Sequence, residues 1–295
     1  MAIRAPYRSL RGISAVAVLL GIGAVGCSDV SDAVGSAKDG VKKVARQRSV
    51  FSLDVGDCYN PNSKAEGEAY AIEIVPCEEA HEGQVVGEFK IDKGKEYPGD
   101  DGVSAIADER CSVEAEKYAP DTWALPEGVS LSYYTPTKES WATGDRAVSC
   151  TYTAEKGTFS GSLDTAKSLK PEQITYLKGS NAVYEALWAN QPEKDTIEDD
   201  LAGYKAQAKA VAAALDAHVK GLDGIEGTEV GKLRATLTKA AGNWKKAANA
   251  ADADAFYTAY DPALTGIDPN ESVAARKELG LATTVPADEA EVWAD

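Results

Sequence analysis

The 295-residue sequence is poor in several residue types that usually carry chemistry: two histidines, one methionine and four phenylalanines. Two histidines exclude a histidine-rich metal centre, because zinc sites draw about four ligands from His, Cys and acidic side chains. The His81-Glu82 pair has no second histidine four residues on, so the metalloprotease signature is missing. There is no Gly-x-Ser-x-Gly elbow and no glycine loop of the phosphate-cradling type. Basic residues are in deficit, 31 against 47 acidic, a net charge of −16. A surface of that sign repels phosphate backbones, which argues against a nucleic-acid partner. No apolar run reaches the ~20 residues of a membrane-spanning helix.

The N-terminus carries a signal of its own. Arg4, Arg8 and Arg11 precede an uncharged stretch from Gly12 to Gly26, the order of a secretory signal. It ends Ala24-Val25-Gly26-Cys27, which resembles the lipobox of bacterial lipoproteins. The resemblance implies that Cys27 receives a diacylglyceryl group and becomes the first mature residue. The protein would then sit on the outer face of the cytoplasmic membrane, and two acyl chains provide the double signal that stable anchoring needs. Without residues 1–26 the chain has 28 basic and 47 acidic residues, a net charge of −19. Five cysteines less Cys27 leave Cys58, Cys77, Cys111 and Cys150, an even set that suits disulfides in an exported chain.

The composition divides the chain. Residues 27–50 read as a membrane tether, with a basic cluster at Lys42, Lys43, Arg46 and Arg48. Residues 51–155 hold the four cysteines in a mixed pattern. "FSLDVGDCY", "AYAIEIVPC", "GQVVGEFKI", "VSLSYYTP" and "DRAVSCTYTAE" read as strands, and "VSAIADERCSVEAEKY" as a helix with Ile106, Val113 and Tyr118 on one face. The expected fold is α+β: a small disulfide-stapled domain with strands around one helix, then an all-α antiparallel bundle. Residues 156–170 have linker composition, 171–282 form the bundle, and 283–295 are an acidic, mobile tail. In the bundle, Ile174, Leu177, Tyr184, Leu187 and Trp188 share a face, with a kink at Gly179-Ser180. Asp195 and Glu198 have capping-box spacing. A stripe then runs Ile197, Leu201, Tyr204, Ala208, Val211, Leu215, His218 and Leu222, with His218 at the bundle boundary. A second runs Val230, Leu233, Leu237, Ala240, Trp244 and Ala247. A shorter helix through Phe256, Tyr257 and Tyr260 stops at Pro262, and a last one spans 271–279 with Gly280 as its cap. Long helices with short loops imply antiparallel packing, and residues 171–280 are expected to fold alone.

Four cysteines allow three pairings. Cys58 and Cys77 each close a predicted strand, and Cys111 on the helix faces a late strand carrying Cys150, so the expected bonds are Cys58–Cys77 and Cys111–Cys150. Their reduction is expected to weaken the first domain and leave the bundle unchanged. A disulfide claims Cys77 before any metal at Cys77 and His81 does; His81 reads as a polar contact near that turn. No metal and no cofactor are expected. The carboxylate pairs Glu78-Glu79, Asp100-Asp101, Asp108-Glu109 and Asp199-Asp200 supply the groups a glycoside hydrolase would use, but charge runs are ordinarily solvated faces.

"VGDCYN", "IVPCEEAHEGQVVGEF" and "PTKESWATGDRAVSC", in that order with a cysteine-bearing helix between the last two, resemble the septum-formation domain of actinobacterial membrane proteins and lipoproteins. The resemblance covers about residues 51–153 and rests on Gly56-Asp57-Cys58, Val75-Pro76-Cys77, His81, Cys111, Pro136, Trp141, Gly144-Asp145-Arg146 and Cys150. It implies an association with division and brings no catalytic residues. Gly-Asp turns and fixed prolines look architectural; Trp141, Asp145 and Arg146 form the candidate interaction patch. The expected function is a non-catalytic, membrane-anchored interaction module that meets an envelope or division protein. The alternatives are a wall-polymer hydrolase using paired carboxylates and a solute-binding lipoprotein, which would need two lobes of βαβ units.

Overall fold

The computed structural model describes residues 47–49, 52–61, 71–91, 96–287 and 293. Cys27, the signal segment and most of the tether lie outside the described residues. The chain divides into two compact units, one comprising the sheet region to Thr165 and the other the helices from Ala166. The helical unit also takes in Pro120–Ala124.

The first unit is an antiparallel sheet of β1 (Gln47–Ser49), β2 (Cys58–Pro61), β3 (Ala71–Val75), β4 (Gly83–Lys90), β5 (Val129–Tyr134) and β6 (Ala147–Ala154). Their spatial order is β1-β3-β2-β4-β6-β5. Two helices accompany it, α1 (Asp100–Tyr118) and the short α2 (Lys138–Ala142). Every described strand pair is antiparallel, so the parallel βαβ lobes of a solute-binding lipoprotein are not the architecture here. β1 begins inside the expected tether, whose end pairs with β3. The predicted strand from Phe51 forms later: residues 52–57 turn, and Cys58 opens β2 rather than closing a strand.

A bulge between Val85 and Gly87 gives β4 its character. Consecutive side chains of a strand point to opposite faces of the sheet, and the bulge shifts the register just after them. Val86 joins the α1-side core with Val148, Cys150 and Tyr152, while Val85 joins Leu53, Tyr59 and Ile72 in a second core. Two glycines allow close approach. A Cβ on Gly87 would lie 2.4 Å from Glu114 Cβ on α1, and one on Gly83 2.5 Å from the Tyr59 ring. α1 buries Val103, Ala107, Cys111 and Ala115. The predicted face of Ile106, Val113 and Tyr118 is therefore rotated: Val113 is 49% exposed. Small residues face the sheet because the approach at Gly87 leaves little depth for larger ones. The expected linker also closes this unit, with Phe159 and Leu163 buried in its core.

The second unit contains α3 (Pro171–Ala189), α4 (Leu201–Leu222), α5 (Thr228–Ala248), α6 (Ala253–Thr265) and α7 (Pro269–Leu279). Both long stripes are buried as read: Ala208, Val211, Leu215 and Leu222 on α4, and Val230, Leu233, Leu237 and Trp244 on α5. α3 differs in phase. Tyr176 and Leu177 are buried and Ile174 is 43% exposed, because the aromatic ring, absent from the expected face, sets the rotation. The Asp195–Glu198 box does not form; the cap is Asp200, whose Oδ1 accepts from Gly203 N at 2.9 Å. Pro262 lies within α6 instead of stopping it. Its fixed φ suits a helix, and it opens the last turn, where its missing N–H costs one backbone bond. Gly280 takes the left-handed conformation, φ 71°, that ends α7. In the expected mobile tail, Trp293 is half-buried and packs against the helical core.

Candidate functional site

The motif residues meet in the sheet unit. Cys58 is bonded to Cys77 with Cα atoms 5.2 Å apart, and Cys111 to Cys150 at 5.3 Å. The first bond joins the start of β2 to the turn after β3; the second pins α1 to β6. Cys58, Cys111 and Cys150 are buried, while Cys77 is partly exposed beside exposed Glu78 and Glu79.

Gln84 on β4 is a hub beside the first disulfide. It is fully buried. Its amide nitrogen lies 3.1 Å from Tyr118 Oη and from Ser162 Oγ, 3.3 Å from the Gly56 carbonyl and 3.6 Å from Cys77 Sγ. Its Oε1 accepts from Leu163 N at 2.7 Å. One amide thus ties β4, α1, the Gly56 turn and residues 162–163 together. Nothing in the strand pattern marked it; a polar residue between glycine and two valines was the available signal. His81 is also fully buried, Nδ1 lying 2.8 Å from the Glu79 carbonyl and the ring edge-on to Phe159 at 4.3 Å. Its backbone exchanges two 2.9 Å hydrogen bonds with Phe159. This is a polar contact near the Cys77 turn. Among the described residues no three His, Cys, Asp or Glu side chains gather as a metal site.

The candidate patch of Trp141, Asp145 and Arg146 is a folded corner and not an exposed apolar face. Trp141 is 3% exposed. Thr137 caps α2 by accepting from Ser140 N at 3.1 Å, and Ser140 Oγ donates to Asp145 at 2.9 Å. Gly144, at φ 101°, reverses the chain. Asp145 also accepts from Ala147 N at 3.0 Å. Arg146 lies over the Trp141 ring, 3.6 Å from its centroid, and donates to the Trp141 carbonyl at 2.8 Å. Tyr97 meets the ring edge-on at 5.6 Å. Tryptophan at the foot of a two-turn corner is covered because its own carbonyl recruits the arginine that roofs it.

The carboxylate pairs are spread over separate elements and locally engaged. Asp100 accepts from Tyr97 Oη at 2.5 Å, Asp199 from Thr196 Oγ1 at 2.8 Å, and Asp200 caps α4. Burial and the Asp108 carboxylate push the Tyr133 phenol up to about 12.

In the helical unit, His218 is buried, 4% exposed, and not at the boundary. Desolvation lowers its pKa to about 4. Its Nδ1 would lie 2.0 Å from a Cβ on Gly179, so Gly179 makes room for an imidazole and α3 runs through it unbroken. A depression of about 330 Å³, open to solvent, lies beside it, lined by Tyr176, Ser180, Tyr184, Glu271 and Ser272. Among the described residues no helix is long and apolar enough to cross a membrane. The two disulfides suggest an extracytoplasmic, oxidising location.

No curated protein and no solved structure matches the chain. The family model described as septum formation matches residues 25–161. That span holds both disulfides, the Gln84 hub, the Trp141 corner and the Phe159 strand-like bridge to His81, so residues 25–161 are a septum-formation domain carried at the N-terminal side of a helical unit.

Proposed function

We propose that the protein is a non-catalytic interaction module, anchored through Cys27 to the outer face of the cytoplasmic membrane and working in septum formation or envelope assembly. The observation that carries this reading is how the motif residues are used. Cysteines staple, Gly56 and Gly144 turn the chain at positive φ, and Asp145 and Arg146 hold a corner over Trp141. A domain whose motif residues serve its architecture presents shape to a partner rather than reactive groups to a substrate. Disulfides hold such a surface without a large apolar core.

In-cell photocrosslinking from exposed positions of the sheet unit, such as Glu79 and Lys138, tests the reading. Specific envelope-protein adducts are the expected result. Hydrolysis of wall polymer by the purified protein, lost on carboxylate substitution, would replace it. The anchor is tested separately: fatty-acid labelling should disappear in Cys27→Ala, and label that persists rejects Cys27 as the lipid site.

A further inference from the structure

The two edges of the sheet are protected differently. β1 lies at one edge and is three residues long, with Arg48 at its centre. Shortness and charge both discourage pairing with another strand. β5 lies at the other edge. Its six residues, Val-Ser-Leu-Ser-Tyr-Tyr, hold no charge and no proline, and its register with β6 runs unbroken from Val129–Ala154 to Tyr134–Ser149. All six are half-buried. Leu131 and Tyr133 pack on the α1-side core, and the Tyr133 phenol bonds to Asp108 and Ser104 of α1, so the strand is held in place before any partner arrives.

The hydrogen-bond phase of β5 is fixed by its neighbour. Glu155 N donates to the Gly128 carbonyl at 2.8 Å, so Gly128, Ser130, Ser132 and Tyr134 turn their backbone groups toward β6. Val129, Leu131 and Tyr133 turn theirs outward. Val129 N donates to the Pro126 carbonyl at 3.1 Å. Among the described residues, the backbone N–H and C=O groups of Leu131 and Tyr133 have no such partner.

We infer that β5 is a self-association edge, pairing antiparallel with β5 of a second copy about a two-fold axis at Ser132. Of the two-fold registers, this one satisfies all four open groups within the strand. Leu131 in one copy exchanges two hydrogen bonds with Tyr133 in the other, and the axis repeats the exchange. Centring on Leu131 would need the Val129 N–H, which is taken, and centring on Tyr133 would need Thr135, beyond the strand. Leucine then lies opposite tyrosine and serine opposite serine, so no like-charge pair forms across the strands. The second copy is the occupant because the contact is isologous and charge-free. A chain of net charge −16 can meet itself here without setting one carboxylate against another. A six-residue pairing is a small interface, so the dimer is a dissociating one. The pairing depends on neither the anchor nor the envelope partner proposed above.

Sedimentation of the full chain in detergent over a wide concentration range tests this. Cysteine crosslinking in the Cys27→Ala background tests the register, since the two disulfides leave no other free thiol. The wild type should pass from monomer to dimer as concentration rises, and the Leu131 and Tyr133 amides should exchange more slowly in step. Ser132→Cys should give a disulfide-linked dimer on mild oxidation, because facing residues of a non-hydrogen-bonded pair lie about 4.5 Å apart at Cα. Ser130→Cys, on the same face, should not, its two copies being offset by about 14 Å along the strand. Ser132→Lys sets two ammonium groups face to face and should leave only monomer. Should that variant misfold, the exchange measurement on the wild type still decides. The inference is overturned by a wild type that stays monomeric at every concentration, or by amide exchange that ignores concentration. Crosslinking through Ser130→Cys as strong as through Ser132→Cys, crosslinking through neither, or a Ser132→Lys chain that still dimerises would overturn it equally.

Discussion

His218 shows how one buried side chain sets a pH limit. Its ring packs edge-on to Tyr176 at 5.6 Å and is held neutral by burial, with its pKa lowered from 6.5 to about 4. The unfolded chain takes up a proton below about pH 6.5 while the folded one does not until near pH 4. Stability is therefore complete above 6.5, falls as pH drops through that window, and levels off below it. The loss should approach roughly 3 kcal/mol. Urea titrations of the wild type from pH 7 to 4 should show this slope, and His218→Gln should flatten it; an unchanged slope in the variant removes His218 as the cause. Gly179 is the companion residue. Alanine there would gain about 1 kcal/mol in helix propensity, but its Cβ meets the imidazole at 2.0 Å. Overpacking of ~1–3 kcal/mol exceeds that gain, so Gly179→Ala should lower the melting temperature. A higher one would show that His218 gives way freely. In the sequence the glycine looked like a kink because its reason sits on another helix.

Helix ends in the second unit are tied by side chains from distant elements. Glu278 on α7 accepts from the backbone N–H groups of Thr228, Glu229 and Val230 at 2.8–3.0 Å. It thereby caps α5, which has no side-chain cap of its own, and the contacts lower its pKa. A carboxylate at a helix N-terminus satisfies orphan donors and the helix dipole together. This support is present above the ordinary carboxylate range and is lost as pH falls through the depressed value. Glu278→Ala should lower the melting temperature at pH 7, and its effect should shrink as pH falls below the ordinary carboxylate range; an effect that stays the same at every pH would point to lost packing. Hub residues behave alike in the sheet. Gln84→Leu should strand Leu163 N and the Gly56 carbonyl, costing about 1–3 kcal/mol for each buried unpaired group, read as a lower denaturation midpoint. The α4 and α5 stripes were legible because period and burial coincide. Glu278 and Gln84 were not, because Val230 and Leu163 lie 48 and 79 residues from them and no local pattern records such pairs; the Asp200 cap, three residues from Gly203, is local but competes with the Asp195–Glu198 spacing.

Across the molecule, composition divided the chain into a cysteine-bearing part and a cysteine-free part, and that division is visible in the fold. What it hid is that the second part borrows five residues from the midst of the first. "PDTWA" is too short to form a periodic pattern, and nothing in the sequence around Arg276 marks it as the buried partner of Asp121. Residues 171–280 alone should therefore fall short of the autonomous folding expected of them. Breaking a buried pair costs ~3–5 kcal/mol, so this fragment should unfold at lower urea than the helical transition of the full chain, and Asp121→Ala in the full chain should show a comparable loss. A fragment as stable as the parent unit would show the segment to be dispensable. The Asp121–Arg276 contact also spans 155 residues, which bears on the order in which contacts can form as the chain is made. A chain synthesised from its N-terminus presents Asp121 long before Arg276 and Ala282. Five residues near the middle of the polypeptide gain their buried partners only when almost the last stretch of chain has arrived.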